Sequence, residues 1–587
     1  AANRQVEGVV ISSEDNLPLI GASVYADNAS SGSSLNSAQN AAFDEFLLQL
    51  FRSEITQNTI NLHFSLSSPA SYGITDIPIS LGGISGQAAE QNRAALENTV
   101  AALKRFDPKK LSKTQKLTYD ILSDYLSMEQ KGTDFSLYNE YLNPSSGIQA
   151  QLPVLYEEYR FYNEDDIKTY LKLLPLTGSY FEQIIDFEKE KSSAGLFMSD
   201  AVCKEVIEQC SRFADDGDDH YLILTFNKKV DDFKDLSDEQ KTAYKKQNEK
   251  IVKEMIFPAY TSLASSLSSL LGSGKNEKGL CYLKRGRDYY KYLVYENTGC
   301  ADSIADIETM IGQKRLSDLS EAAALTASNP DLWTDAQKLS LSSADPTSVL
   351  ELLKERMQSD FPKAPDVSYS VSYIEECMED YLAPAYYITA PIDDYNANSI
   401  YINAKTDATT MRYFTTLAHE GFPGHLYQTI MSYQSGLPAI RSILNYPGYV
   451  EGWATYVEMM SYHYAGLPDD AATLLALNQS ALLSLYASTD IGIHHDGWSL
   501  SDTIKFWNDY GINDPDTIAE IYRYIISEPA NYLRYYVGYL QFLELKEYAK
   551  ETLGNDYNES AFHQTLLSIG PAPFEIIKKY LKEFYQK

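Results

Sequence analysis

The stretch AHEGFPGHLY, residues 418–427, contains two of the eight histidines in this 587-residue chain, His419 and His425. A glutamate, Glu420, follows the first histidine. In a regular helix, histidines four residues apart share one face and can bind the same zinc ion. Here they are six residues apart, so a regular helix would turn His425 about 120° away from His419.

The residues between the histidines favour an interruption of the helix. Pro423 lacks the amide hydrogen that an α-helix needs, and Gly421 and Gly424 accept backbone angles that other residues avoid. We therefore predict that the helix bulges by two residues and returns His425 to the face of the first histidine. The alternative interpretation is that GFPG merely ends a helix and that both histidines are structural.

A catalytic zinc site usually has three protein ligands and one open position, so a third ligand should come from another helix. Glu451 lies 26 residues after His425, near the start of a segment that Pro447 can open as a helix. That separation suits a helix that turns and runs back past the metal. We predict that His419, His425 and Glu451 bind zinc.

Three neighbouring residues have predicted roles at this site. Glu420, next to the first histidine ligand, is predicted to be the general base that activates the attacking water. Glu458 lies seven residues after Glu451, two turns along the same face, and is expected to support a ligand from the second shell of contacts. His463, twelve residues after Glu451, is the alternative third ligand.

Composition excludes several classes of protein. With 49 Lys and Arg against 81 Asp and Glu, the formal net charge is −32, and such a surface repels nucleic acid. No run approaches the roughly 18 apolar residues of a membrane-spanning helix. Five cysteines are too few for a disulfide framework in a chain of this length, although Cys281 and Cys300 could pair.

The chain divides into three predicted segments. Residues 1–26 alternate apolar and polar residues and resemble the opening strands of carboxypeptidase-regulatory-like β-sandwich modules, as a partial segment or a non-native addition. Residues 27–40 form a Ser/Asn-rich linker, and residues 41–587 are overwhelmingly helical apart from one short strand, NSIYINA, at 398–404. Because such modules recur on extracellular bacterial proteins, we expect an extracytoplasmic protein, secreted or lipid-anchored, whose signal has been removed.

Four motifs resemble those of the bacterial "domain of unknown function 885" family, which is similar to helical gluzincin zinc peptidases such as oligopeptidases and angiotensin-converting-enzyme-like enzymes. The motifs are HEGFPGH, EGWATYVE, DIGIHHDGW at 490–498 and RYIISEPANYLRYYVG at 523–538. Leu426 stands where the family often has another histidine, and Ala530 and Asn531 replace Gly and Gln. None of the predicted metal ligands is lost.

The resemblance implies a mainly α, two-lobed body around a deep channel, with the zinc helices on its floor. The short strand would line the channel and pair with extended substrate, with Asn403 near its end. His494 and Tyr535 would donate hydrogen bonds to the oxyanion of the reaction. Arg523 would bind a substrate carboxylate or bridge helices, and Asp490 would orient His494 or a zinc-binding histidine.

Together these patterns predict zinc-dependent hydrolysis of peptide bonds in short or unfolded peptides, since a deep channel would exclude folded chains. The first alternative is a catalytically inactive peptide- or ligand-binding protein of the same fold, although pure binding needs no base at Glu420. The second alternative is a glycosidase with paired carboxylates, which leaves the His-Glu-His group unexplained. No pattern specifies an oligomeric state.

Overall fold

The structure is a computed structural model that describes residues 32–585, except for 77–78, 85, 216, 218–219, 339–344, 375–378 and 380–383. The fold of the described residues is mainly α with one small sheet, as predicted. The predicted β appendage, residues 1–26, lies outside the described residues.

Helices account for most of the described chain. In the first half they are α1 Gly32–Ile55, α2 Thr59–Ser65, α3 Gly86–Leu103, α4 Lys113–Gly132, α5 Ile148–Glu157, α6 Glu164–Leu173, α7 Thr177–Ala194, α8 Asp200–Asp215, α9 Tyr221–Asp232, α10 Asp238–Ile251, α11 Phe257–Ser268 and α12 Gly286–Thr298. In the second half they are α13 Ile304–Ser328, α14 Leu332–Gln337, α15 Pro346–Arg356, α16 Met411–Glu420, α17 His425–Gln434, α18 Pro447–Ser461, α19 Asp469–Ile491, α20 Leu500–Asn508, α21 Pro515–Ser527, α22 Asn531–Leu553, α23 Glu559–Ile569 and α24 Phe574–Tyr585.

Helix α1 corrects the predicted linker at 27–40, because it begins at Gly32 and takes up residues 32–40. Its apolar residues Phe43, Phe46 and Leu47 are buried in the core. Once such a helix is nucleated, each added residue gains one hydrogen bond, and Ser, Asn and Gln oppose this only weakly. Polar composition alone therefore predicted too long a linker.

Two large hydrophobic cores organise the described helices. One core is formed by residues of α5 to α11, including Phe181, Tyr260 and Leu263. The other contains Phe414 of α16 and Trp453 of α18, packed among helices of the C-terminal half together with α1 and α4. Two separate cores agree with a two-lobed body, whereas the deep channel stays a prediction.

Helices α18 and α22 cross in close contact because glycines line the crossing. A Cβ at Gly452 would lie 2.5 Å from the Cα of Gly538, and one at Gly538 would lie 2.7 Å from the Cα of Gly452. Larger side chains would force the helices apart. The crossing places Glu451, which precedes Gly452, near Tyr535, which lies one turn before Gly538.

A three-stranded sheet precedes the histidine motif. Its strands are β1 Tyr369–Tyr373, β2 Ala385–Ile388 and β3 Asn398–Ile402, in the order β1-β3-β2. Strand β3 confirms the predicted strand in 398–404, and it pairs parallel with β1 and antiparallel with β2. Because both its edges are taken, β3 has no free edge for a substrate, which corrects that part of the expectation.

Two expectations from composition concern the membrane and the cysteines. Among the described residues, none of the helices combines the length and the apolar character needed to span a membrane. Cys281 and Cys300 are both free thiols, so they form no disulfide with each other.

Candidate metal centre

The histidine motif forms two helices and not one bulged helix. Helix α16 ends at Glu420 and α17 begins at His425. Between them, Gly421 (φ −107°, ψ −97°) and Gly424 (φ −80°, ψ −135°) lie far from helical backbone angles. The predicted two-residue bulge is therefore wrong in form, because the chain leaves the helix completely and then restarts it.

The break nevertheless brings the two histidines together, with ring centroids 4.8 Å apart for His419 and His425. It also requires glycine, because a Cβ at Gly424 would overlap the carbonyl oxygen of His419. The Trp453 indole nitrogen donates a hydrogen bond of 2.9 Å to the carbonyl oxygen of Pro423, inside the break. Helix α18 therefore holds the turn as well as carrying the predicted third ligand.

Glu451 lies between the two imidazole rings. Its Oε2 is 3.4 Å from Nε2 of His419 and 3.4 Å from Nε2 of His425. With bonds of about 2.0–2.2 Å, two ligand atoms of a tetrahedral zinc site lie about 3.3 Å apart. Both histidine side chains retain 13% exposure, which leaves the rings accessible to a small molecule. These three donors could hold a zinc ion.

Glu458 occupies the position predicted for a supporting carboxylate. Its Oε2 lies 3.2 Å from Nδ1 of His419, on the opposite side of the ring from Glu451. A carboxylate on the second ring nitrogen fixes the orientation and the tautomer of a histidine and makes its free nitrogen a better ligand. Two carboxylates on α18, two turns apart, thus hold one histidine of α16.

Glu420 is a rival third ligand, because donor atoms of His419, Glu420 and His425 all lie within 4.8 Å of one another. We favour Glu451, since its oxygen is 3.4 Å from both imidazole nitrogens. The Oε2 of Glu420 instead accepts a 3.0 Å hydrogen bond from the amide of Tyr387 in β2. Burial raises the pKa of Glu420 above its usual value, as suits a proton acceptor.

The charges around the rings favour a cation. Burial alone would lower the pKa of His419, but hydrogen bonds that its ring nitrogens donate to Glu451 and Glu458 raise it well above its usual value. Burial alone would raise the pKa of Glu451, but His425 and His419 hold it well below its usual value. With Glu420, three carboxylates surround two imidazoles, so the group has a surplus of negative charge.

Tyr535 of α22 lies against this group. Its ring stacks near that of His419, with centroids 6.3 Å apart. The charge of Glu451, and then burial, raise the pKa of Tyr535 well above its usual value, so its hydroxyl keeps a proton to donate. The structure thus brings together six of the predicted residues: His419, Glu420, His425, Glu451, Glu458 and Tyr535.

The chain matches the model of one known protein family. A family model described as "Bacterial protein of unknown function (DUF885)" matches residues 71–581, which include all six of these residues. The chain belongs to this family. No match was found among curated proteins.

Two solved structures share the fold of this DUF885 protein. A "putative lipoprotein" from Colwellia psychrerythraea has a TM-score of 0.84 at 18% identity and covers 93% of this chain and 99% of that chain. A "putative lipoprotein of unknown function" from Shewanella oneidensis has a TM-score of 0.64 at 18% identity, with 94% and 100% covered. A "putative oligoendopeptidase F" from Bacillus anthracis str. Ames has a TM-score of 0.29 at 11% identity, with 84% of this chain and 95% of that chain covered. This likeness is too weak to show a shared fold. The likeness to the two putative lipoproteins shows the fold alone.

His494 does not have the role that the family pattern implied. It is fully buried, its Nδ1 accepts a 3.1 Å hydrogen bond from the amide of Leu280, and its Nε2 lies 2.8 Å from the carbonyl oxygen of Ile525. Both ring nitrogens are therefore used by the backbone, and burial lowers the pKa of His494 to about 4. It is a neutral residue that ties three segments together, not an oxyanion donor.

Asp490 also differs from the prediction, because it orients neither His494 nor a histidine of the metal centre. Its Oδ1 accepts hydrogen bonds from the Tyr290 hydroxyl at 2.5 Å and from the Ala530 amide at 3.0 Å. Ala530 has a positive φ of 63°, a conformation that favours glycine, which explains the Gly of the family motif. Asp490 thus stabilises the turn that starts α22.

Asp490 provides a test by pH. Burial raises its pKa from 3.8 to about 7, so the folded protein binds this proton more tightly than the unfolded chain. Its contribution to stability is complete below about pH 4 and is lost as the pH rises through about 7, a fall of about 4 kcal/mol. The free energy of unfolding of the parent should fall by this amount between about pH 4 and pH 8, and Asp490→Asn should lack this contribution to the fall. An unchanged pH dependence would contradict the assignment.

Asn403 and Arg523 lie outside the metal centre. Asn403 is buried, and its Nδ2 donates a 2.6 Å hydrogen bond to the carbonyl oxygen of Glu379 while its Oδ1 accepts one from the amide of Lys405. It therefore shapes the turn after β3 and is not available to a substrate. Arg523 is exposed on α21 and lines a cavity of about 490 Å³ whose lining includes none of the six residues of the centre.

His463, the alternative third ligand, is exposed in the 3₁₀ turn Tyr462–Ala465 that follows α18.

The backbone amide of Tyr387 is a contact at the centre that sequence analysis missed. No motif marks it, because β2 approaches the site through nonlocal pairing with β3. Sequence analysis also missed the hydrogen bond from Trp453 to the carbonyl oxygen of Pro423 in the helix break. The position of Trp453, two residues after the predicted ligand Glu451, was the available signal.

Proposed function

We propose that this protein is a zinc-dependent peptidase that hydrolyses peptide bonds in short or unfolded peptides. The observation that carries the proposal is the position of the Glu451 Oε2, 3.4 Å from Nε2 of both His419 and His425. Two imidazoles and one carboxylate are a donor set of catalytic zinc sites that keep a fourth position open. These three residues would hold the ion.

A zinc ion bound there would polarise the carbonyl of the scissile peptide and make water easier to deprotonate. Glu420 would take the proton from the attacking water and pass it to the leaving amine. The amide of Tyr387 holds one carboxylate oxygen of Glu420 at 3.0 Å, which fixes its direction. Tyr535, protonated beside Glu451, would donate its hydroxyl to the developing oxyanion.

The sheet supports an extended substrate. Strand β2 is an edge strand, and the amide of Tyr387 on that strand contacts Glu420. Among the described residues no other strand pairs with this edge of β2, and a peptide that lay along it would pass the proposed general base. Only an extended segment can pair with a strand edge, which favours short or unfolded peptides over folded proteins.

A peptide-mixture assay tests the function. The protein should cleave peptides in an unbiased mixture, lose this activity after treatment with a chelator, and regain it when zinc is added back. The products should be identified by mass spectrometry. Zinc-independent binding of peptides without cleavage would instead support the inactive binding protein and would contradict the proposed peptidase.

Replacing Glu458 by glutamine should weaken zinc binding about 10–100-fold, because the carboxylate that orients His419 would lose its charge. Competition with a chelator of known affinity measures the change. A matched control is Glu559→Gln, which removes another partly exposed carboxylate next to a histidine, His563, in the same half of the chain. Equal zinc affinities for both variants would show that Glu458 does not support the site.

We also propose an extracytoplasmic location, as the sequence suggested. Two solved structures with this fold are each described as a putative lipoprotein. Fractionation of the native host should place the protein outside the cytoplasm, and its recovery with cytoplasmic markers would contradict the proposal.

A further inference from the structure

A cavity of about 360 Å³ lies further along α17, beyond the metal centre. Gln428 and Ser432 of α17 line it, together with Arg441 of the 3₁₀ turn Ala439–Ser442. Gln428 and Ser432 follow His425 by three and seven residues, so they share its helix face. Ser432 is about 10 Å further along the helix axis.

Arg441 is a buried cation that pairs with no anion among the described residues. It is 2% exposed, and its Nη2 donates hydrogen bonds to the carbonyl oxygens of Ile569 at 2.8 Å and Pro571 at 2.9 Å. Its Nε and Nη1 have no hydrogen-bond partner, and no carboxylate pairs with the guanidinium among the described residues. A buried charge normally has a partner, because leaving it unpaired is costly.

Two further donors in the cavity are also without partners. The Nε2 of Gln428 and the Oγ of Ser432 are buried and make no hydrogen bond with a described residue. The point where a Cβ would lie at Gly570 is 3.6 Å from the Arg441 Nη2 and 3.8 Å from the Ser432 Oγ. The arginine and the serine therefore approach the same region.

We propose that this cavity binds the carboxylate group of a small organic molecule. The two oxygens of a carboxylate can accept from a free N–H group of the guanidinium, at Nη1 or Nε, and at the same time from amide and hydroxyl donors. The cavity also exceeds what an inorganic ion would fill, and side chains with apolar surface line it: Tyr72, Ile392, Tyr395, Leu437 and Val450. The carboxylate comes from a free acid or from the C-terminus of a peptide, and the proposal does not depend on peptidase activity.

Calorimetric titration tests this site with four probes. They are 3-phenylpropionate and its neutral amide, and N-acetyl-Gly-Phe and its C-terminal amide. The acids should bind and the amides should not. Binding of one acid alone identifies the source of the carboxylate, and binding of both shows a general carboxylate site. Failure of both acids to bind, or equal binding of the amides, would overturn the proposal.

Variants separate this cavity from the metal centre, where an acid could also bind. Gln428→Met removes an unpartnered donor and breaks no hydrogen bond between described residues, so the protein should fold and bind the acid about tenfold or more weakly. Ser432→Ala should act in the same direction. The control Thr118→Val removes a buried, unpartnered hydroxyl outside the cavity and should bind like the parent. Parental affinity in Gln428→Met and Ser432→Ala would overturn the proposal.

Discussion

Replacement of Glu420 by glutamine is expected to lower kcat about 10²–10⁴-fold while the protein keeps its zinc. Glutamine has nearly the same shape and can keep a carbonyl oxygen against the amide of Tyr387, where Glu420 now accepts a hydrogen bond. It cannot take a proton from water. The expected result follows because Glu420 is assigned to proton transfer, whereas Glu451 is assigned to the metal.

The control for this variant is Glu90→Gln, which changes an exposed residue of α3 in the same way and should leave kcat unchanged. Zinc content and kcat should be measured on the same preparations. Loss of zinc from Glu420→Gln would make Glu420 a ligand in place of Glu451. Unchanged turnover with zinc present would refute the proposed general base.

Replacement of Gly424 by alanine is expected to abolish zinc binding as completely as His425→Ala does. The added Cβ would overlap the carbonyl oxygen of His419, which is backbone and cannot move aside alone. The turn between α16 and α17 would have to open, and His425 would leave its position beside Glu451. The same overlap should lower the free energy of unfolding by about 1–3 kcal/mol or more.

Gly178→Ala is the matched control, because a Cβ at Gly178 of α7 meets no atom within 4 Å. Zinc titration and equilibrium unfolding of both variants, beside His425→Ala, measure the two effects. Zinc affinity close to that of the parent in Gly424→Ala would show that the tight turn does not aim His425. The local geometry around the histidines would then need another explanation.

The centre was predictable where the signals are local. Two histidines, the glycines between them and a glutamate one helix later are close in sequence, and their chemistry names a metal. The form of the turn was not predictable, because a bulge and a complete break use the same residues. Gly424 distinguishes the two only through its approach to the backbone at His419, which appears in three dimensions.

Residues whose partners are distant in sequence were harder to assign. His494 matched a family pattern, but its partners Leu280 and Ile525 lie 214 and 31 residues away, and no motif connects them. Strand β3 was found from its β-favouring residues, yet its central place depends on β1 and β2, whose pairing is nonlocal. Nothing in the sequence around Arg441 indicates that its guanidinium is buried and lacks an anionic partner among the described residues.

The glycines of α18 and α22 show a signal that could have been used. Gly452 follows Glu451 directly, and Gly538 lies three residues after Tyr535. In the structure the two helices touch at these glycines, which brings the carboxylate and the tyrosine to one site. Helical glycines beside two candidate site residues therefore indicated a helix crossing, although the sequence could not show that they meet each other.

The central claim is that His419, His425 and Glu451 hold a zinc ion. X-ray diffraction from crystals of the purified protein, collected on both sides of the zinc absorption edge, tests it most directly. We expect one strong anomalous peak per chain, about 2.0–2.2 Å from the two Nε2 atoms and a carboxylate oxygen of Glu451. A zinc-loaded protein with no peak there, or with the metal bound through Glu420 and not Glu451, would contradict it.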